Sequence, residues 1–282
     1  MSTPAIERQR QEIYEIAEAI APTWERRRAE IEAAVAPVRH WMLRELAPRA
    51  GDTVLELGAG VGDTGFDAAE IIGEPGRLIS TDFSPAMVAA ARRRGADRGL
   101  DNVEYRVMDA ERIELDDDSV DGVLCRLAYM LMPEPGAALA ETRRVLRLGG
   151  RVSLAVWGAL DRNPYFTIAA GILVAHGHLP PLDPSGDPAV SMASADRTAV
   201  LLEDAGFPRV RTEEVAVHFE VPDAAGYLSM VADTAGPLGL ALRDVAATDR
   251  AAIEAAVAEP LARFSTGRGY EIPGVALCAV AE

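Results

Sequence analysis

The residues able to do chemistry gather around one run, Thr53-Val54-Leu55-Glu56-Leu57-Gly58-Ala59-Gly60-Val61-Gly62. A short apolar stretch of strand type breaks into glycines, and a helix-compatible segment, 66–72, follows. Glycines at a strand-to-helix turn accept positive φ and let a ligand approach the backbone with no Cβ in the way. The helix behind them points free N–H groups at whatever sits there. Gly60-Val61-Gly62-Asp63-Thr64-Gly65 satisfies the G-x-G-x-x-G pattern. Asp82 stands about 20 residues on, where a dinucleotide enzyme keeps its ribose-binding acid. Glu56 argues the other way. A carboxylate just before the first glycine repels a pyrophosphate but suits a ligand that carries an ammonium group and no phosphate. At this point both readings stand.

Further candidates lie at the ends of the strands that follow. Asp82 closes the run Arg77-Leu78-Ile79-Ser80-Thr81-Asp82, and Ser84-Pro85 then starts a helix with Ser84 as its N-cap. That leaves the Asp82 carboxylate free to accept two ribose hydroxyls, and Phe83 or Met87 to cover an adenine face. Asp109 ends a third strand over 102–107 and suits an adenine amino group, with the Ala110 backbone supplying a further polar contact. A nicotinamide enzyme has no standing need for an acid there. The fourth strand, 119–125, runs into Cys125-Arg126-Leu127-Ala128-Tyr129-Met130. Ligands of doubly wound sheets bind beyond the carboxyl ends of the strands, so substrate contact is expected at Arg126, Tyr129 and Met130. Arg126 suits either an anionic substrate group or a structural ion pair.

These strands need helices to carry them. Residues 4–47 look helical, with Pro22 breaking the run and Pro37 near a turn or kink. Tyr14, Trp24 and His40 are the candidates there to face the ligand, Tyr14 and Trp24 on the substrate side. Gly149-Gly150 is expected to end a helix and lead into a fifth strand over 151–157. A Pro-, Gly- and Asp-rich stretch over 158–198 with a helix at 164–175 reads as a cap insertion. Closing strands at 209–220 and 275–281 flank a helical insertion at about 222–266. The expected division is an N-terminal helical lid at 1–48, a core at 49–157, the cap at 158–198 and the closing elements at 199–282. Candidate general bases are His40, Tyr129, His176 and His178.

Composition narrows the function classes. A net charge of −16 disfavours nucleic acid and anionic membranes. No apolar run is long enough to span a bilayer, and no signal core opens the chain. Cys125 and Cys278 read as buried free thiols of a reducing cytoplasm. Asp116-Asp117-Asp118 reads as an exposed loop rather than a metal cluster.

In order and spacing, Glu56–Gly62, Asp82-Phe83-Ser84-Pro85-Ala86-Met87, Asp109-Ala110-Glu111 and Arg144-Val145-Leu146-Arg147-Leu148-Gly149-Gly150 resemble class I S-adenosylmethionine-dependent methyltransferases. The likeness is to the small-molecule branch similar to ubiquinone and menaquinone methyltransferases, and is strong over about 50–157. Leu148 stands where that family usually has proline. The resemblance implies an α/β fold: a Rossmann-like, doubly wound, seven-stranded sheet with N-terminal helices and helical caps. It assigns Glu56, Gly58, Ala59, Gly60 and Gly62 to the methionine end of S-adenosylmethionine, Asp82 to the ribose and Asp109 to the adenine, with S-adenosylhomocysteine as product. Arg126 is a candidate for cofactor as well as substrate. The expected enzyme is metal-independent, a monomer or homodimer acting on a small O, C or N acceptor. The alternatives are a non-catalytic S-adenosylmethionine-binding protein and a nicotinamide oxidoreductase.

Overall fold

A computed structural model describes residues 3–180 and 192–282; the part of the expected cap at 181–191 lies outside the described residues. The chain opens on one helix, α1, Pro4–Leu46. Thr3 caps it, accepting from the Ile6 N–H, and Pro4 takes the first-turn position where a missing N–H costs nothing. The expected break at Pro22 does not occur, and both Pro22 and Pro37 lie inside the helix. At 1.5 Å per residue a helix of 43 residues is about 65 Å long, so α1 extends well past the sheet it packs on. Propensity argued for a stop at Pro22; contacts on both flanks of the helix override it.

The core alternates strand and helix: β1 Thr53–Leu57, α2 Asp63–Ile72, β2 Arg77–Asp82, α3 Pro85–Asp97, β3 Val103–Val107, β4 Val120–Arg126, α4 Pro135–Val145 and β5 Leu146–Trp157. Beyond it come α5 Pro164–Ala175, α6 Ala195–Asp204, β6 Val210–Val221, α7 Ala224–Thr234, α8 Gly236–Asp244, α9 Ala247–Ala262 and β7 Tyr270–Ala281. Among the described residues the strands form one sheet of order β3-β2-β1-β4-β5-β7-β6. The first five are parallel, and β7 runs antiparallel between β5 and β6. This is the doubly wound, seven-stranded sheet expected from the sequence.

Alternation along the strands divides the core into two layers. On one face Val54, Leu78 and Leu124 meet Val38 and Met42 of α1 and Phe66, Ala69 and Ile72 of α2. On the other, Leu55, Leu57 and Val123 meet Leu139 of α4 and Leu202 of α6. The chain order reverses direction between β1 and β4, which opens the crevice beyond their carboxyl ends. One local expectation fails. Gly149-Gly150 does not end α4, which stops at Val145; the pair sits inside β5, where the register jumps from Val120–Leu146 to Gly122–Arg151. Gly149 takes φ 81° in that bulge and Leu148 at its tip is exposed.

Phe66 anchors the first turn of α2 under the glycine run. Its ring is fully buried, edge-on to Tyr105 and within 2.4 Å of where a Gly62 Cβ would stand. Phe66→Ala is expected to lower the unfolding free energy by about 3–5 kcal/mol, read as a shift of the urea midpoint at unchanged slope.

Candidate active site

The turn after β1 is built by backbone geometry that glycine alone adopts without strain. Gly58, Gly60 and Gly62 take φ of 59°, 55° and 94°. A Cβ on Gly58 would stand 2.4 Å from the Ala128 Cβ, so the turn lies directly against the loop after β4. Gly60 has nothing within 4 Å of its Cβ position, leaving that face open. The turn is tied to the end of β2. Asp82 accepts from the Gly60 N–H at 2.9 Å and from the Ser84 N–H at 2.9 Å, and the Ala59 N–H donates to the Thr81 carbonyl.

Glu56 serves the next helix. Gly62 has no side chain to cap α2, and the Glu56 carboxylate accepts the Gly65 N–H at 2.7 Å, one of that helix's unpaired first-turn donors. A Cβ on Gly65 would lie 2.1 Å from Glu56 Oε2, so glycine is required there by close approach. Ser80 Oγ stands 3.4 Å from the same carboxylate. The role expected of Glu56, an acid before the glycines, thus has a structural component that no local pattern indicates.

Of the remaining candidates, Phe83, Met87, Asp109 and Ala110 lie at or just past the ends of β2 and β3, beside Asp82. Tyr14 stands edge-on to Phe83 at 6.0 Å, and Trp24 packs against the cluster of Val61 and Met87. Arg126 ends β4 but is paired with Glu32 of α1 at 2.6 Å; Glu32 also takes Arg39 at 2.8 Å. The Arg126 Nη1 is buried without a partner.

The structure does not bring the other candidates to this turn. Tyr129 is fully buried on the opposite face of the sheet, its hydroxyl on Thr142 of α4 at 2.6 Å. Met130 is buried in the same layer, its sulfur accepting the Trp157 N–H. His40 is exposed near the C-terminal end of α1, and His176 is exposed at the end of α5. His178 faces Asp249 of α9 at 3.7 Å. Sequence reasoning placed these residues from their neighbours in the chain, and the packing of α4, α5 and α9 decides otherwise.

Sequence reasoning also missed three groups. Glu18 of α1 accepts from Ser84 Oγ and from the Ala86 N–H at 3.1 Å, adding a carboxylate beside Asp82. Arg10 pairs with Asp109 at 3.4 Å and with Glu111. Leu127, just after β4, holds φ 59°, a left-handed conformation costly for a bulky residue and typical of functional turns. Glu18 and Arg10 carry no local signal, since a charged residue on a polar helix reads as a solvated face. Its place between Arg126 and Ala128 was the available hint for Leu127.

Burial governs the protonation of the site. It pushes the Glu56 carboxyl up to about 8, against the Gly65 N–H and the Arg126 charge that hold it down. It pushes Asp82 up to about 6, against the Ser84 and Gly60 N–H groups, while the Glu18 charge acts in the same upward direction. Burial opposes the Arg126 charge, but Glu32 raises its pKa, so it stays a cation. A carboxyl whose folded pKa is raised binds more protons folded than unfolded. Its stabilising contribution is full below the unfolded value and is lost as pH rises through the folded one. Glu56 therefore erodes stability between pH 4.5 and about 8, by up to roughly 1.4 kcal/mol for each step of one in pH. Glu56→Gln keeps an acceptor for Gly65 without the charge, so its stability relative to the wild type should rise across that window. Urea unfolding of both proteins at several pH values checks the difference.

Known proteins share this fold and parts of this sequence. Residues 48–170 match the family model described as a methyltransferase domain. An arsenite methyltransferase of Halobacterium salinarum is 32% identical over 163 residues, 55% of this chain and 42% of that protein. A demethylmenaquinone methyltransferase of Clavibacter sepedonicus is 38% identical over 109 residues, 39% of this chain and 42% of that protein. The chain thus spans less than half the length of these relatives. Among solved structures, the YcgJ protein of Bacillus subtilis superposes with a TM-score of 0.59 at 18% identity, over 86% of this chain and 97% of that one. A putative methyltransferase of Bacillus halodurans gives 0.57 at 18%, with the same coverage. At that identity the likeness speaks for the fold alone. Strand order and glycine turn agree with the match of residues 48–170 to a methyltransferase domain.

Proposed function

We propose that the chain transfers a methyl group from S-adenosylmethionine to a small-molecule acceptor, without a metal. The observation that carries this reading is the Asp82 carboxylate at the end of β2, bonded to the Gly60 N–H of a positive-φ turn whose outer face is open. The residues present suit that cofactor. The carboxylates of Glu56, Asp82 and Asp109 stand at the turn and at successive strand ends, and they match a ligand with an ammonium group, a diol and an adenine amino group. In this assignment the glycine turn and Glu56 take the methionine end, Asp82 the ribose, and Asp109, Ala110, Phe83 and Met87 the adenine.

When bound, the cofactor supplies an electrophilic methyl on a sulfonium. The chain's part is to position and to exclude water. In-line displacement gains most from orientation, and a dry crevice strips solvent from a compact nucleophile. The fixed left-handed Leu127 and the buried Arg126 lie on the β4 side of the turn, where an acceptor would approach. We place the acceptor's specificity there and in the cap. The N-terminal turns of α1, within the expected lid at 1–48, and the cap at 158–198 are the units that would close on it, and a monomer or homodimer in the cytoplasm is the expected setting.

Arsenic is not the proposed acceptor, although one relative carries that name. Soft centres are held by thiolates, and both cysteines of this chain are buried. Burial raises the Cys125 thiol and pushes Cys278 up to about 12, so both stay protonated thiols at neutral pH.

Calorimetry with S-adenosylmethionine, S-adenosylhomocysteine and NADH is the direct test. The first two should bind, and Asp82→Ala should weaken both by at least about tenfold, which is about 1.4 kcal/mol. Binding of NADH alone would return the chain to the dinucleotide reading. Exhaustive chelation should leave turnover of an identified acceptor unchanged, and activity restored only by magnesium would remove the metal-independent mechanism.

A further inference from the structure

The groups assigned above to the adenosine end are covered by a single segment of this chain. Arg10 lies against the Asp109 carboxylate at 3.4 Å and against Glu111. One helical turn on, Tyr14 meets the edge of Phe83. Another turn on, Glu18 accepts from Ser84 Oγ and the Ala86 N–H, occupying the start of α3 next to Asp82. Ala21 and Ile20 then pack on Val61 and Met87. Positions 10, 14, 18 and 21 lie on one face of α1 by helical spacing, so a continuous stripe covers the ends of β2 and β3. Two surface cavities, of about 410 and 530 Å³, are lined elsewhere, and Gly60, Asp82 and Asp109 line neither.

The rest of α1 is fastened independently. Thr23 bonds the Asp233 carbonyl of α7, and Arg26 and Arg27 each reach the Asp233 carboxylate at 2.9 Å. Arg28 holds Asp63 at 3.1 Å, and Glu32 holds Arg126. Between the fastened part and the covering part stands Pro22. It has no N–H to give the Glu18 carbonyl and crowds that carbonyl sterically, so the helical ladder is weakest there.

We propose that residues 4–21 of α1 are a latch over the adenosine end of the site. Arg10 is its catch, competing with the incoming adenine for the Asp109 carboxylate. The proposal rests on the cofactor reading above and adds to it a residue that sets the rate of cofactor entry. Asp109 already receives the Glu111 N–H on Oδ1, and Arg10 faces Oδ2. An adenine amino group would approach that same oxygen, so it and the guanidinium compete for it. The latch turns about Pro22 while the clamp from Thr23 to Glu32 stays in place.

The test pairs stopped-flow binding of S-adenosylhomocysteine with amide hydrogen exchange of the ligand-free protein, for the wild type and Arg10→Gln. Releasing the catch raises the fraction of open molecules, so association should quicken by about threefold to tenfold. Exchange of amides in 5–20 should quicken, while those in 24–45 keep their wild-type rates. Arg10→Lys, which keeps the charge but not the fork, should fall between the two. Equal association rates in all three proteins would overturn the proposal, as would unchanged exchange in 5–20. If no protein binds S-adenosylhomocysteine, the cofactor reading falls, and the exchange comparison still decides whether Arg10 holds the segment down.

Discussion

The Asp82 carboxylate is the joint on which the site depends. Its two oxygens take the Gly60 N–H and the Ser84 N–H, one from the turn after β1 and one from the start of α3. Those two turns belong to different βα units. The strand pairing between them ends at Leu57–Thr81, with the Ala59 N–H on the Thr81 carbonyl as its last backbone bond. One buried carboxylate therefore sets the distance between the glycine turn and the second helix. Each oxygen still has a lone pair to offer, so the group that organises the turn can also receive a ligand's hydroxyls. A charged group in such a position is costly to bury, and its raised pKa is the record of that cost.

The same logic recurs along the carboxyl edge of the sheet. Glu56 caps α2 through Gly65, Asp63 is held by Arg28 and Arg94, and Glu32 holds Arg126. Acids outnumber bases over the whole chain, yet at this edge these buried acids have cationic or N–H partners from another element. The arginines come largely from α1 and α3, so the polar network also fixes how those helices lie on the sheet. Breaking one partner leaves the other buried and unpaired, which costs more than the pair contributes.

Helix α1 is the element that turns a generic sheet into a covered site. Its C-terminal half packs as a core helix, with Val35, Val38 and Met42 fully or almost fully buried. Its N-terminal half leaves the sheet and crosses the strand ends mostly with polar and aromatic contacts, with one small apolar cluster at Ile20 and Ala21. Contacts of that kind are weaker than core burial, so the two halves of one helix differ in how firmly they are held. The side chains that cover the strand ends are thus the ones best able to let go.

The parallel core and the ends of β1, β2 and β3 were legible without coordinates. Their signals are local: a glycine run that needs positive φ, a Ser84-Pro85 helix start, and apolar runs of strand length closed by an acid. Such signals act within a few residues, so they survive without knowledge of the fold. Features that depend on partners far along the chain were set by packing instead. Packing carried α1 through Pro22, because α7 and α2 grip both sides of the helix there. It turned Tyr129 inward to Thr142, left His40 and His176 exposed, and took Glu56 for the α2 cap. It also brought Arg10 to Asp109 and Glu18 to Ser84. A charge on a polar helix face looks the same in sequence whether it meets water or a carboxylate from another layer, and only the assembled fold tells the two apart.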